Sequence, residues 1–228
     1  MATRTPVRTD SDALEALLLA WQHALTNEGV QAIAVLGPQL HGAATDRRVL
    51  AVHPLDAQQA AQALTHTPDF GEGPHPQGAP PVAWQLLARP LRLPEAPADA
   101  QWRRAWLARG LQTVVRVSFG LPAGRRIDCF LFTAECLQRR GQAAMLGWLV
   151  QGWWPALRAA LVTVWCPLTR RELQCLHLAF DGMTARASAE RLACTERTVN
   201  FHLANAMAKL GVDNKMAAIQ RACWLGAV

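Results

Sequence analysis

No stretch of this 228-residue sequence approaches the roughly 18 consecutive apolar residues that a transmembrane helix needs. The first 21 residues also lack the long apolar run and the small-residue cleavage site of a secretory signal peptide. These two absences exclude a membrane-spanning protein and argue against a secreted one. We therefore expect a cytoplasmic protein that makes no contact with a membrane.

The usual signatures of enzymes and metalloproteins are missing as well. There is no P-loop, no dinucleotide fingerprint and no convincing pairing of a nucleophile with a base. The six cysteines form no CxxC pair, and no histidine follows them at zinc-finger spacing. His66 and the HPQG motif at 75–78 have no carboxylate or thiol at ligand spacing, so a polar loop is the better interpretation. We expect no catalysis, no metal and no cofactor, with the cysteines serving as small core residues.

What is present is enough apolar sequence for a core, and an excess of positive charge. Apolar residues make up 51% of the chain and charged residues 18%, which is typical of a folded protein. The net charge of +6 suits a polyanionic partner.

Two segments interrupt the periodic spacing of apolar residues: the proline- and glycine-rich 66–82, and "WCPLTRRE" at 165–172. We place a domain boundary at the second, which gives domains 1–164 and 165–228.

The first domain mixes helical and strand-like patterns. Asp12 and Glu15 have the spacing of a capping box, and leucines then recur at helical intervals. Four strand-like runs follow, at 30–36, 47–53, 112–119 and 126–134, and 120–126 has the composition of a hairpin turn. The polar and apolar residues of 112–119 alternate in a way that indicates cover on both sides of the strand. The pattern predicts an α+β fold, an α/β/α sandwich in which helices flank an antiparallel sheet.

A long helical stretch closes this domain, and Pro155 predicts a bend in it or a division into two helices. Its apolar face is predicted to contain Leu146, Leu149, Val150, Trp153, Leu157, Leu161 and Val164.

The second domain is predicted to be all-helical. Thr169 and Glu172 make a capping box, Gly182 ends the first helix, and a short helix occupies about 185–192. Thr195 is placed to cap the next helix, 196–210, which Gly211 ends, and a last helix covers about 214–225. The apolar face of 196–210 consists of Val199, Leu203, Ala206 and Leu210. Two short helices joined by a tight turn, the second polar on its outer side, are the helix-turn-helix arrangement.

The outer side of helix 196–210 carries side chains suited to duplex DNA. Arg197 and Lys209 can neutralise phosphates, while Asn200 and Asn205 can hydrogen-bond base edges in the major groove. From Thr169 onward there are eight basic and five acidic residues. The alternative is a helical docking module whose charges are only solvated surface.

The segment "LTRRELQCL…DGMTARASAERLACTERTVNFHLANAMAKLGVDNKMAAIQRA" at 168–222 resembles the DNA-binding domain of the LuxR family of bacterial transcription regulators. The resemblance implies that Thr198, Asn200 and Lys209 face DNA, and that Glu172 and His202 are structural. The predicted DNA-binding set is Thr195, Arg197, Thr198, Asn200, Asn205 and Lys209. Ser188 departs from the family, which usually has Ile or Val there, and we expect this hydroxyl to weaken the second helix.

The sequence pattern "RTVNFHL.NAM.KL" is similar to that of the quorum-sensing branch of the family. Residues 108–135 resemble the hairpin of that branch's autoinducer-binding domain. That resemblance implies a pocket in which a Trp, a Tyr and an Asp-Pro pair hold the head group of an acyl-homoserine lactone. This chain has no tyrosine, and only the reversed Pro68-Asp69 is present. The pocket therefore binds a different molecule or none.

The nine tryptophans bear on that pocket. Trp84, Trp102 and Trp106 can line a cavity, with Thr113 and Ser118 as hydroxyl donors, although the same tryptophans can equally be core. Trp153, Trp154 and Trp165 are candidates for packing on the sheet or for a dimer interface.

Three functions remain open. The first is a dimeric, DNA-binding regulator of the LuxR type whose signal pocket is divergent or vestigial. The second is a quorum-sensing regulator that responds to an acyl-homoserine lactone or another small molecule. The third is an interaction protein that inhibits another regulator by heterodimerisation. The DNA-facing residues favour the first two.

Overall fold

The structure is a computed structural model that describes residues 8–39, 47–66, 82–88, 97–121 and 125–228. Most of segment 66–82, including the HPQG motif and Pro68-Asp69, lies outside these ranges. The elements in chain order are α1 (Arg8–Thr26), β1 (Val30–Pro38), β2 (Arg47–His53), α2 (Gln58–Ala63), β3 (Val82–Leu86), α3 (Pro97–Leu107), β4 (Thr113–Gly120), β5 (Arg126–Thr133), α4 (Arg140–Trp165), α5 (Arg170–Phe180), α6 (Ala185–Arg191), α7 (Glu196–Leu210) and α8 (Lys215–Trp224). Short 3₁₀ turns flank α2, at Leu55–Ala57 and Leu64–His66.

The five strands form one antiparallel sheet in the order β2-β1-β5-β4-β3. All four predicted strands are present, and β4 and β5 form the predicted hairpin, in which Gly120 pairs with Arg126. The edge strand β3 and the helices α2 and α3 were not predicted. Strand β3 and helix α2 have only five and six residues, so they carry little periodic signal.

Each face of the sheet packs against its own pair of helices. On one face Val115, Val117 and Leu131 pack with α1 and α4. On the other, Val114, Phe130 and Phe132 pack with α2 and α3. Strand β4 is therefore covered on both sides, as its sequence predicts, and the α+β architecture is confirmed.

The two long N-terminal helices differ in detail from their predictions. Helix α1 begins at Arg8, so Asp12 lies inside it and the predicted capping box is wrong. Helix α4 continues through Pro155 as a single helix, so a division into two is also wrong. The buried leucines on either side of Pro155, Leu146 and Leu157, hold both halves of α4 against the sheet. Val164, which the pattern assigned to the buried face, is 41% exposed.

The C-terminal helices begin and end where the local signals predict. Thr169 and Glu172 form the capping box of α5, and Gly182 follows it with φ +79°. Helix α6 ends in an unusual way, because Ala193 has φ +52°, in the left-handed region that favours glycine. The N–H of Cys194 donates to the carbonyl of Ala189 across this turn, 3.0 Å away.

The end of α8 lies against the sheet hairpin and α4. The guanidinium of Arg125, just before β5, stacks 4.4 Å from the ring centre of Trp224. The Nη2 of Arg158 on α4 donates to the carbonyl of Gly226 at 2.9 Å. The C-terminal helices are thus held by side chains from the first part of the chain.

The cysteines are all free among the described residues. Cys129, Cys166 and Cys175 are buried, and burial raises the pKa of each thiol. They are core residues, as predicted, whereas Cys136 and Cys194 are exposed. None of the helices within the described ranges is both long and apolar enough to cross a bilayer.

Candidate nucleic-acid interface

Helix α7 presents one buried and one exposed side. Val199, Leu203, Ala206 and Leu210 face the C-terminal core, where they join residues of α5, α6 and α8. This spacing leaves the opposite side, including Arg197, Asn200 and Phe201, in solvent. The apolar pattern alone therefore decides which side chains of α7 point outward.

Two threonines form the N-terminal end of α7. The Oγ1 of Thr195 accepts a hydrogen bond from the N–H of Thr198 at 3.2 Å and lies 2.8 Å from the Thr198 hydroxyl. Thr195 is thus the N-cap that its sequence position predicts. An anion placed here would meet two hydroxyls and the positive end of the helix dipole.

Arg197 and Asn200 are both exposed, and within the described ranges neither makes a hydrogen bond or an ion pair. Their donors and acceptors are available to an external partner. Asn205 is half-buried, lower on the same helix, and less open to such a partner.

Lys209 has a partner within the protein. Its Nζ lies 2.9 and 2.8 Å from the two carboxylate oxygens of Glu172 on α5. Glu172 is 3% exposed, and one of its oxygens also accepts the N–H of Thr169 at 2.7 Å. Burial raises the pKa of Glu172, but Lys209 and the N–H of Thr169 together outweigh it and leave the pKa below its ordinary value.

The predicted phosphate contact at Lys209 is therefore also a structural ion pair. The pairing was not visible in the sequence, because Glu172 and Lys209 are 37 residues apart and meet only when α5 and α7 pack.

Ser188 on α6 is 2% exposed, in a core otherwise made of apolar residues such as Leu176 and Val199. No hydrogen bond among the described residues involves its hydroxyl. The position is buried, as the family comparison predicts.

The five residues predicted to line a signal pocket do not lie together. Trp102 and Trp106, and the strand position of Ser118, are on the α2 and α3 face of the sheet. Trp84 packs on the opposite face, with α1 and α4, and Thr113 follows the same alternation. A single cavity cannot use all five, because strand residues one apart point to opposite faces.

The hydroxyls of that set are already engaged. Thr113 donates to the carbonyl of Glu135 at 2.9 Å and accepts the N–H of Leu137 at 3.1 Å. Ser118 donates to the buried carboxylate of Asp128.

The sequence interpretation missed the charged group around Asp128. This fully buried residue pairs with Arg47 at 2.8 Å and with Arg126 at 2.9 Å. The only sequence signal is a single acidic residue within an otherwise apolar strand. On the same face of the sheet, Trp106 stacks on Phe132 with a ring separation of 3.7 Å.

Comparison with known proteins identifies the C-terminal segment. Residues 166–222 match the family described as bacterial regulatory proteins, luxR family. The chain is 49% identical over 59 residues to the transcriptional activator protein AnoR of Acinetobacter nosocomialis, covering 26% of this chain and 25% of AnoR. It is 32% identical over 129 residues to the transcriptional activator protein SolR of Ralstonia nicotianae, covering 55% of this chain and 51% of SolR.

These matches span between about a quarter and a half of the relatives' own lengths. Over most of the chain the fold is similar to that of SdiA from Escherichia coli, with a TM-score of 0.51 and 19% identity. That similarity covers 94% of this chain and 91% of SdiA, and it concerns the fold alone.

Proposed function

We propose that this chain, a member of the luxR family through its segment 166–222, is a transcription regulator that reads duplex DNA with helix α7. The observation that carries the proposal is the exposed side of α7, where Arg197 and Asn200 are unengaged within the described ranges. A helix held by its apolar side, with polar side chains outward, fits the major groove.

We assign the residues of α7 two kinds of role. Arg197 and the threonine pair Thr195 and Thr198 sit at the first turn, where they can hold phosphates and fix the position of the helix on the duplex. Asn200 and Asn205 can form bidentate hydrogen bonds with adenine. Lys209 can contribute a phosphate contact only through the donor that Glu172 leaves free.

The domain division proposed from the sequence suits this assignment. Residues 1–164 would form the regulatory domain, and residues 165–228 the DNA-binding domain. Arg125 contacts Trp224, and Arg158 contacts Gly226, so side chains of the proposed regulatory domain directly contact the proposed DNA-binding domain.

A homodimer completes the proposal, because helix-turn-helix proteins commonly bind two half-sites about one helical turn apart. Helix α4 offers a surface for it. Between Arg140 and Arg158 the helix has no charged residue, and its outer side exposes Met145 by 55% and Trp148 by 79%. An uncharged face with an exposed tryptophan is typical of a protein interface.

We further propose that the N-terminal domain does not bind common acyl-homoserine lactones. In support, Trp102 and Trp106 are almost fully buried, and Trp106 is stacked on Phe132. Both rings are therefore core residues of the α2 and α3 face. The chain also has no tyrosine to anchor a lactone, and each buried polar group left without a partner would cost about 1–3 kcal/mol.

DNA binding is tested by selecting a preferred duplex from a random pool and measuring affinity at several salt concentrations. Arg197→Ala should weaken binding to all sequences and reduce the salt slope by about 1. Asn200→Ala should mainly relax the sequence preference, costing about 1–3 kcal/mol at one base pair. Arg109→Ala is the matched control for charge, because Arg109 pairs with Asp56 in the N-terminal domain. If Arg197→Ala and Asn200→Ala both bind like Arg109→Ala, α7 is not the reading helix.

The signal is tested by thermal unfolding with and without acyl-homoserine lactones of several chain lengths. We expect no change in Tm and no requirement for a lactone during soluble expression. A rise of several degrees at low micromolar lactone would overturn this part and favour a ligand-responsive regulator. If the purified chain bound no DNA but captured another LuxR-type regulator, both DNA-binding functions would be rejected. The chain would then be an inhibitor that acts by heterodimerisation.

A further inference from the structure

Helix α7 exposes one large apolar side chain that the assigned roles do not use. Phe201 is 61% exposed and lies in the first half of α7. Among the described residues, the one ring that Phe201 meets is that of His202, edge-on and 5.8 Å away between ring centres. An exposed aromatic ring on a surface built to bind a partner is a candidate contact.

The position of Phe201 on the helix is set by the 100° turn per residue. Arg197 is one turn before it and Ala204 and Ala208 follow on the same line, all four being exposed. Asn200 is its neighbour on the same side. The two alanines add little bulk beyond Phe201, so a base-pair edge can approach the helix closely here.

The groove offers one apolar group to such a ring. Of the four bases, only thymine presents a methyl group in the major groove, and aromatic side chains are among those that contact it. Arg197 and Asn200, on the same exposed side of α7 as the ring, match the phosphates and base edges around that methyl. A protein partner would instead have to bury an unpaired guanidinium together with the ring, which is unfavourable.

We propose that Phe201 is a specificity residue that packs against the C5 methyl group of a thymine in each half-site. This inference rests on the proposed function, since it requires that α7 lie in the major groove. It adds a preferred base to the DNA partner, beyond the contacts assigned to the asparagines.

The test replaces thymine by deoxyuridine, which removes the methyl group and keeps the base pair. The probe is the duplex selected by the wild-type protein from a random window of about 25 base pairs, long enough for two half-sites. Each thymine is replaced in turn, and affinities are measured for wild type, Phe201→Ala and Phe180→Ala. Phe180 on α5 is the matched control, since it is 57% exposed but lies on another helix.

At one thymine per half-site, wild type should lose about fourfold in affinity on replacement, which is the worth of one buried methyl group. Phe201→Ala should bind the unmodified duplex at least about fourfold more weakly than wild type does. Its affinity should not change when that thymine is replaced by deoxyuridine. Phe180→Ala should respond like wild type.

Each other result is decisive. If deoxyuridine costs Phe201→Ala as much as wild type at every position, or if the selected site has no thymine, the inference is wrong while DNA reading by α7 stands. If Phe201→Ala changes only the oligomeric state on a sizing column, Phe201 is a protein contact and the inference is also wrong. If selection enriches no sequence at all, the proposed function itself fails.

Discussion

Replacing Lys209 by methionine tests whether the ion pair between α5 and α7 stabilises the DNA-binding domain. Methionine keeps most of the length and apolar character of the lysine side chain but removes the ammonium. In the wild type that ammonium lies 2.8 and 2.9 Å from the oxygens of Glu172. The variant therefore leaves a 3%-exposed carboxylate without its cation.

The magnitude follows from the exposure of the two partners. Breaking a fully buried ion pair by removing one member costs about 3–5 kcal/mol. Here the side chain of Glu172 is 4% exposed but that of Lys209 is 37% exposed, so water screens part of the interaction. The N–H of Thr169 also continues to bond the carboxylate. We therefore expect a loss of about 1–3 kcal/mol, which for a chain of this size lowers Tm by roughly 2–4 °C per kcal/mol.

The same pair predicts a pH dependence. In the wild type the pKa of Glu172 is lowered overall, so the stabilisation is present above the ordinary carboxyl pKa of about 4.3 and is lost as pH falls through the lower folded value. Without Lys209, fewer contacts stabilise the ionised carboxylate against the effect of burial, so the pKa of Glu172 rises. As pH falls, protonation of Glu172 removes the unpaired buried charge from the variant. The difference in unfolding free energy between variant and wild type should therefore be smaller at pH 4 than at pH 7.

The assay is denaturant unfolding of wild type and Lys209→Met at both pH values. The matched control is Lys215→Met, because Lys215 is exposed at the start of α8 and makes no ion pair within the described ranges. Adding Glu172→Gln to each protein completes a double-mutant cycle for the pair. The reasoning is refuted if Lys209→Met is as stable as Lys215→Met at pH 7, or if its deficit does not change with pH.

Three further variants test the packing around the proposed site. Ser188→Ile should raise Tm, because it adds buried apolar area to the C-terminal core; a fall would mean that the space is too small for isoleucine. Ala193→Gly should stabilise the chain by about 1 kcal/mol in denaturant unfolding, since φ +52° suits glycine, and a loss would show that the methyl group packs usefully. Arg125→Ala should destabilise by about 1–2 kcal/mol and speed hydrogen exchange in α8, because it removes the ring stacking on Trp224 and the bond to the carbonyl of Gln39; unchanged exchange would mean that this contact does not hold the helix.

Local signals made the C-terminal helices predictable. Thr169, Thr195 and Gly211 cap or end helices through contacts with residues three or four positions away. The residues that decide these helix ends therefore lie within one helical turn of each other in the sequence. The buried side of α7 repeats with the helical period, and its exposed side follows from that. Arg197 and Asn200 were predicted to be exposed for this reason, and they are.

The first part of the chain was predictable to a lesser extent. The four predicted strands are long and rich in β-branched residues, and they are present. Strand β3 has five residues and lies at the sheet edge, so no periodic pattern indicated it. The capping box at Asp12 was wrong because α1 begins four residues earlier, at Arg8, and Asp12 lies inside the helix.

The sequence by itself determined the class of fold, the limits of the four C-terminal helices and the outward face of α7, because these depend on residues close together in the chain. The tertiary structure alone decided three things. It placed Trp84 and Trp102 on opposite faces of the sheet, paired Lys209 with Glu172, and brought Arg47 to Asp128. In the chain these partners are separated by as many as 81 residues, and only the strand order and the packing of helices bring them within bonding distance. Short-range patterning carries no information about such pairings, since the same local sequence is compatible with many strand orders.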